Sequence, residues 1–260
     1  MPERTEYAPG TPNWIDLAAP DLDEAAKFYG ELFGWESQEA PGDPEETGGY
    51  RFFMLNGKVV AGYGPPGENE PPSWRGYVAV GEADEAASKA KEAGGEVVLD
   101  PLDVMGAGRM AVFRDTEGAV ICAWQPGTTH GVQLVNEPGT FCWSELQTRD
   151  PEAAKKFYSE VFDWDYEERD LEETTYVGIR LDGRPVGGML PMSEQVPDET
   201  PPHWLIYFAT EDLDGQSEKA PEVVIPRQES PAGAFAVLQD PGGANFAVIE
   251  LSEEAKASGQ

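Results

Sequence analysis

The chain has 260 residues, a formal net charge of −31 and only two cysteines. The acid excess runs throughout, with 9 basic and 23 acidic side chains in residues 1–125 and 9 and 26 in the rest. Such a surface repels nucleic-acid phosphates and anionic membrane faces, and two cysteines are too few for a disulfide framework. No run of 18 apolar residues marks a membrane span, and the first twelve residues lack the apolar stretch of an export signal, so a cytoplasmic location is expected.

Taken in order, Asn13 to Leu17 alternates as a strand does, and Pro20-Asp21-Leu22 turns the chain. Asp21 reads as an N-cap with Glu24 three residues on, Asp23 to Phe33 as a helix, and Gly34 as its C-terminal stop. Trp35-Glu36 opens another strand. YRFFML (50–55) and KVVAGY (58–63) follow, joined by Asn56-Gly57, a tight-hairpin signal. The order βαβββ then restarts. WRGYVAV is a strand, Asp84 to Ala93 an Ala-rich helix, and GEVVLD, GRMAVF and AVICAW are three more strands.

The whole pattern then recurs. WIDLAAPDLDEAAKFY (14–29) matches WSELQTRDPEAAKKFY (143–158) at an offset of 129. Trp74 and Tyr77 match Trp204 and Tyr207 at 130, and FRDTEGAVICAWQP (113–126) matches LQDPGGANFAVIEL (238–251) at 125. A repeat of this period is a duplicated domain. We therefore expect an α+β fold of four βαβββ modules forming two tandem cup-shaped domains, 8–126 and 139–252. Residues 127–138 form the linker, in which VQLV has the makings of a short strand and His130 is expected to be solvated. The sheets should be largely antiparallel with helices packed outside them.

These features resemble the vicinal oxygen chelate superfamily of glyoxalases, bleomycin-resistance proteins and extradiol dioxygenases. The resemblance rests on the strand–Asp21–helix run through FY to LFGW, its partner ending FYSEVFDW, the hairpins NGKVVAG and DGRPVGG, and the turns FRDTEGA and LQDPGGA. The chain is most similar to the tandem-domain actinobacterial glyoxalase-like group. That likeness implies cups that hold a small molecule. It also admits release to the culture medium by a non-classical route.

The resemblance further implies a divalent metal on the cup floor, held from three strand positions. These fall at Trp14, Arg75 and Cys122 in the first copy and at Trp143, Leu205 and Ala247 in the second. None is His, Gln or Glu, and the strands KVVAGY and RPVGGM carry no carboxylate. The usual metal triad is therefore absent and no cofactor is expected. A shift of two residues keeps the same strand face and brings in Asp16, Glu145 and His203. A divalent metal at a nonstandard site on Glu145 and His203 is the alternative, short of a third ligand.

By face, the first cup is lined by Trp14, Asp16, Arg75, Tyr77 and Trp124, and the second by Trp143, Glu145, His203 and Tyr207. Aromatic walls with a few convergent polar groups suit a small aromatic or apolar metabolite or antibiotic. The tryptophans are equally suited to fill the cups as core. Arg75 stands ready to neutralise Asp16, whereas Leu205 occupies the matching place near Glu145. Glu145 with His203 is then the candidate acid–base pair of a glyoxalase-like lyase, hydroxylase or dioxygenase. The competing readings are a metal-free binding protein and a non-catalytic protein with filled cups. Four modules in one chain complete both cups, so monomer and homodimer are both compatible.

Overall fold

The computed structural model describes residues 3–171, 174–193 and 196–258. The first lobe runs β1 (Pro12–Ala18), α1 (Leu22–Phe33), β2 (Glu36–Glu39), α2 (Pro44–Thr47), β3 (Arg51–Leu55), β4 (Lys58–Gly64), β5 (Ser73–Ala79), α3 (Ala83–Glu92), β6 (Glu96–Val104), β7 (Gly108–Arg114) and β8 (Val120–Pro126). The second repeats it as β9 (Phe141–Thr148), α4 (Pro151–Phe162), β10 (Asp165–Asp170), β11 (Thr175–Leu181), β12 (Arg184–Pro191), β13 (His203–Ala209), α5 (Leu213–Lys219), β14 (Glu222–Ser230), β15 (Gly233–Gln239) and β16 (Asn245–Leu251). The helix α6 (Glu253–Ser258) follows. No helix among the described residues is long and apolar enough to cross a membrane.

Each lobe is one eight-stranded sheet, ordered β2-β3-β4-β1-β5-β8-β7-β6 in the first and β10-β11-β12-β9-β13-β16-β15-β14 in the second. The two modules of a lobe meet at an antiparallel central pair, β1 with β5 and β9 with β13. Parallel pairs flank the centre, β1 with β4 and β5 with β8 in the first lobe. Local sequence sets the element ends as expected. Asp21 accepts from the backbone N–H groups of Asp23 and Glu24 at 3.0 and 2.9 Å, and Gly34 stops α1 at a φ of +74°. Asn56 and Gly57 both turn through positive φ, 53° and 72°, which suits a two-residue hairpin.

The helices lie outside the cups, as expected, with Asp23, Glu24, Lys27 and Glu31 of α1 and Glu152, Lys156 and Glu160 of α4 exposed. The buried faces of α1 and α4 also pack on the opposite lobe. The α1 residues Phe28, Tyr29 and Phe33 meet Phe246 of β16, and Phe33 also meets Phe208 of β13. In return, α4 packs against α3, and Phe157, Tyr158 and Val161 share a core with Val78, Phe113 and Ile121.

Hydrogen bonds pin this exchange symmetrically. Tyr29 donates to Asp240 Oδ2 at 3.0 Å and accepts from the Trp74 indole at 2.8 Å. Tyr158 donates to Asp115 Oδ2 at 2.9 Å and accepts from Trp204 at 2.9 Å. Asp115 and Asp240 are the aspartates of the repeated turns, and each also holds its own turn through backbone N–H groups. Trp35 and Trp164 donate across the lobes to the carbonyls of Gly139 and Gly10 at 2.8 and 2.7 Å.

The linker is structural rather than a free tether. Its VQLV segment forms one isolated bridge, Leu134 to Glu3, instead of a strand. Val132, Leu134 and Val135 are buried in the first core, and Gln133 N–H bonds the Val59 carbonyl at 2.7 Å. His130 is exposed.

Two outcomes follow. Replacing Tyr29 or Tyr158 by Phe strands a buried indole N–H and weakens an aspartate that has lost one donor. We expect each to cost about 1–3 kcal/mol in urea unfolding, within a single transition that reports both lobes together. Burial also pushes the carboxyls of Asp115 and Asp240 up, against the lowering effect of their hydrogen bonds. Such groups hold a proton more tightly folded than unfolded. Their contribution to stability is therefore fully present below the ordinary carboxylate range and is lost as pH rises through the elevated one. Self-repulsion of the −31 chain acts in the same direction. The unfolding midpoint should be higher at about pH 5 than at about pH 8, and a midpoint that rises over this interval would contradict the reading.

Candidate functional site: two cups, one carboxyl in each

The concave faces follow from strand register. On the first, Trp14 lies opposite Tyr77, and Asp16 lies opposite Arg75 with Gly62 on its other side. On the second, Trp143 lies opposite Tyr207, Glu145 opposite Leu205, and Gln147 opposite His203. Period-two alternation turns all of these into the cups. Trp14 and Tyr77, with Cys122 beside Tyr77, form one rung, so Arg75 sits a step away next to Asp16.

Cup one is closed by its own side chains. Asp16 is 2% exposed. It accepts from Arg75 Nε at 2.7 Å and from the hydroxyls of Tyr77 and Tyr50 at 2.9 and 3.1 Å. Arg75 reaches on to Glu70 at 3.0 Å, so one half-buried guanidinium serves two carboxylates. Trp14, Tyr77, Cys122 and Trp124 are all buried and continuous with the main core, and Phe52, Met110 and Val112 pack on them. Trp124 is fixed at the rim, where its indole donates to the Thr129 carbonyl at 2.8 Å. Burial pushes the Cys122 thiol up to about 12, which leaves it an unreactive filler.

Cup two keeps the frame and loses the fillings. Leu205 replaces Arg75, Ala247 replaces Cys122 and Ile249 replaces Trp124 at matching positions. Its apolar floor is a small separate cluster, with Trp143 and Phe235 only half-buried against it. Glu145 is 7% exposed. Its Oε1 accepts from Gln147 Nε2 at 2.7 Å and from the Tyr207 hydroxyl at 3.0 Å, and Tyr176 also faces the carboxyl. All three partners are neutral. Burial therefore raises the Glu145 carboxyl above its ordinary range, and the three hydrogen bonds only partly oppose this.

His203 shares the face of Glu145 but makes no hydrogen bond to it. Its Nδ1 lies 2.9 Å from the Pro201 carbonyl, and Gln147 takes the place beside the carboxyl that sequence reasoning gave to His203. A carbonyl only accepts, so Nδ1 is the donor in this contact.

Three cup residues escaped the sequence: Tyr50, Tyr176 and Gln147. The Trp14 indole donates to Tyr50 at 3.2 Å and the Trp143 indole to Tyr176 at 3.0 Å, so each tyrosine couples a tryptophan to the carboxyl. Each ring also lies across a glycine. A Cβ on Gly62 or Gly188 would overlap the hydroxyl of Tyr50 or Tyr176. The signal was present as a Tyr–Gly pair, 50 with 62 and 176 with 188, repeated at an offset of 126.

A narrow apolar crevice, with about 10 Å³ of free space, lies beside Phe141, Ser144, Trp164 and Trp204. The indoles of Trp164 and Trp204 are already spent on Gly10 and Tyr158, so it offers little to orient a ligand. The convergent polar groups are in the cups.

The sequence matches the profile of the Glyoxalase/Bleomycin resistance protein/Dioxygenase superfamily over residues 11–123 and again over 140–248. The chain belongs to that superfamily. It is 39% identical over 261 residues to "Putative glyoxylase CFP32" of Mycobacterium tuberculosis, covering 96% of this chain and 98% of the relative. It is 36% identical over 268 residues to the anthracycline biosynthesis protein DnrV of Streptomyces peucetius, covering 96% of each. Among solved structures it resembles the Mn(II)-bound glyoxalase of Novosphingobium aromaticivorans, at a TM-score of 0.63 and 15% identity over 97% of this chain and 86% of that one. It also resembles the 2,2',3-trihydroxybiphenyl 1,2-dioxygenase of Sphingomonas wittichii RW1, at 0.63 and 12% over 94% and 91%. At such identities the likeness carries the fold.

The donors in this superfamily member's cups do not fit a metal triad. Among the described residues no three His, Cys, Asp or Glu side chains converge. Asp16 is committed to Arg75, and Glu145 to Tyr207 and Gln147.

The contrast between cups predicts a contrast in stability. Arg75→Met leaves Asp16 buried without its cation and should cost about 3–5 kcal/mol in chemical denaturation. Leu205→Met, volume-conserving at the matching position, should cost less than about 1.5 kcal/mol. Equal costs would show that the Asp16–Arg75 pair is not what closes cup one.

Proposed function

We propose that this protein binds a small aromatic or apolar molecule in its second cup, with Glu145 orienting it, and that the first cup is structural. One observation carries the reading. At matching positions, Asp16 is neutralised by Arg75, whereas Glu145 faces Leu205 with the half-buried Trp143 and Tyr176 beside it. An inward carboxyl without a cation is expensive to keep, so its retention points to use. Trp143, Tyr176, Tyr207 and Phe235 supply flat apolar walls, and the Gln147 amide fixes the carboxyl. The anthracycline-biosynthesis name of DnrV agrees with an aromatic ligand. Asp16, Arg75, Tyr77, Trp14 and Trp124 then support the fold, and Trp143, Glu145 and Tyr207 contact the ligand.

A second reading is enzymatic. The elevated carboxyl of Glu145 suits a base that takes a proton next to a ligand carbonyl, and His203 suits a partner on the same face. The deciding assay is solvent-deuterium exchange at the α-carbon of a bound aryl ketone, followed by NMR. Exchange that disappears in Glu145→Gln supports an enzyme, and equal exchange in the variant removes that reading.

The binding reading is tested with 1-naphthylmethanol by equilibrium dialysis. We expect saturable binding to wild type, weakened about tenfold, or ~1.4 kcal/mol, by Trp143→Ala. Trp14→Phe should leave it unchanged. Binding indifferent to Trp143 would place the ligand elsewhere.

A further inference from the structure

The two cups form an internal comparison that specifies what the missing group should be. In cup one the inward carboxyl meets a guanidinium at 2.7 Å and is 2% exposed. In cup two the same place on the facing strand is Leu205, and the residues matching Cys122 and Trp124 are Ala247 and Ile249. Leu205 thus leaves Glu145 without a cation across the strand pair, and Ala247 beside Tyr207 is smaller than Cys122 beside Tyr77. The remaining partners, Gln147, Tyr207 and Tyr176, donate hydrogen bonds but no charge. A carboxylate buried among neutral donors is stabilised most by a cation that fills the vacated place.

The walls favour the same sign. Tyr176 and Tyr207 face the carboxyl, the half-buried Trp143 donates to Tyr176, and Tyr207 packs on Phe235 at a centroid distance of 6.0 Å. Ring faces attract ammonium groups, more strongly when these are partly desolvated. The protein's field, at a formal charge of −31, concentrates cations and repels anions at the cup mouth.

We propose that cup two recognises an organic amine: a small aromatic or apolar molecule carrying an ammonium group, whose nitrogen sits against Glu145 where the Arg75 guanidinium sits against Asp16. The assignment rests on the binding reading above and narrows its ligand class. It makes Glu145 a charge-selecting contact and Leu205 the residue whose apolar character keeps the place open.

Three probes with one aromatic body separate the alternatives: 1-naphthylmethylammonium, 1-naphthylmethanol and 1-naphthylacetate, each measured by equilibrium dialysis against the full-length protein. The amine should bind about tenfold or more tighter than the alcohol, as expected for one charge contact in a partly buried site, and the acetate most weakly. Glu145→Gln should bring the amine to the alcohol's affinity while leaving the alcohol within about twofold. Leu205→Arg, which rebuilds the ion pair of cup one, should abolish the amine preference independently, and a folded variant is recognised by an unchanged urea transition. An amine that binds no better than the alcohol, or a preference that survives Glu145→Gln, overturns the assignment. Alcohol binding without amine preference leaves the binding cup intact and removes only the cation. No binding by any probe removes both.

Discussion

The exchanged tyrosine–aspartate contact is the constraint on which the rest of the molecule depends. Each helix tyrosine, Tyr29 or Tyr158, is fully buried, is held by an indole of its own lobe and bonds the turn aspartate of the other lobe. A polar group in that position must be fully bonded to be tolerated. The bond can be satisfied only when α1 and α4 each lie against the other lobe. The lobes are therefore held together by exchanged contacts despite their duplicated sequence.

That arrangement separates stability from chemistry. The shared core between the sheets is aromatic and dense, so it does not need both cups to be filled. Cup one is filled nonetheless, with an ion pair and two tryptophans that merge into the core. Cup two stands apart as a small cluster with open aromatic edges. Duplication supplied two copies of one frame, and a handful of substitutions at matching places, Arg75 to Leu205 and Trp124 to Ile249 above all, made them unlike. The carboxyl and both of its flanking hydroxyl donors survive in each copy, so the difference lies in charge and cover rather than in architecture.

Much of this was legible before any coordinates. The repeat, the βαβββ order, the helix caps and the Asn-Gly hairpin follow from local rules that tertiary context left untouched. The inward placement of Asp16 and Glu145 followed from strand alternation, and the Asp16–Arg75 pair from complementary charge. What was hidden depends on contacts between distant segments. Tyr50 and Tyr176 sit at strand edges with no periodic signal of their own, and only their repeated spacing to Gly62 and Gly188 betrays them. Gln147 was passed over because a neutral amide announces no chemistry. The roles of Tyr29, Asp115 and their counterparts were invisible, since nothing in a linear sequence says that a helix will bond the other copy's turn.

The central claim is that the two cups, alike in fold, differ in access, and that ligands enter the second. The chain has seven tryptophans, so selective nitrogen-15 labelling yields a spectrum of seven indole N–H signals. The most direct measurement is that spectrum recorded while 1-naphthylmethylammonium is added. The account predicts that the Trp143 signal moves and saturates, while those of Trp14, Trp124, Trp164 and Trp204 stay in place. Movement of Trp14 and Trp124 with Trp143 unchanged would contradict it, because the closed cup would then be the one that binds.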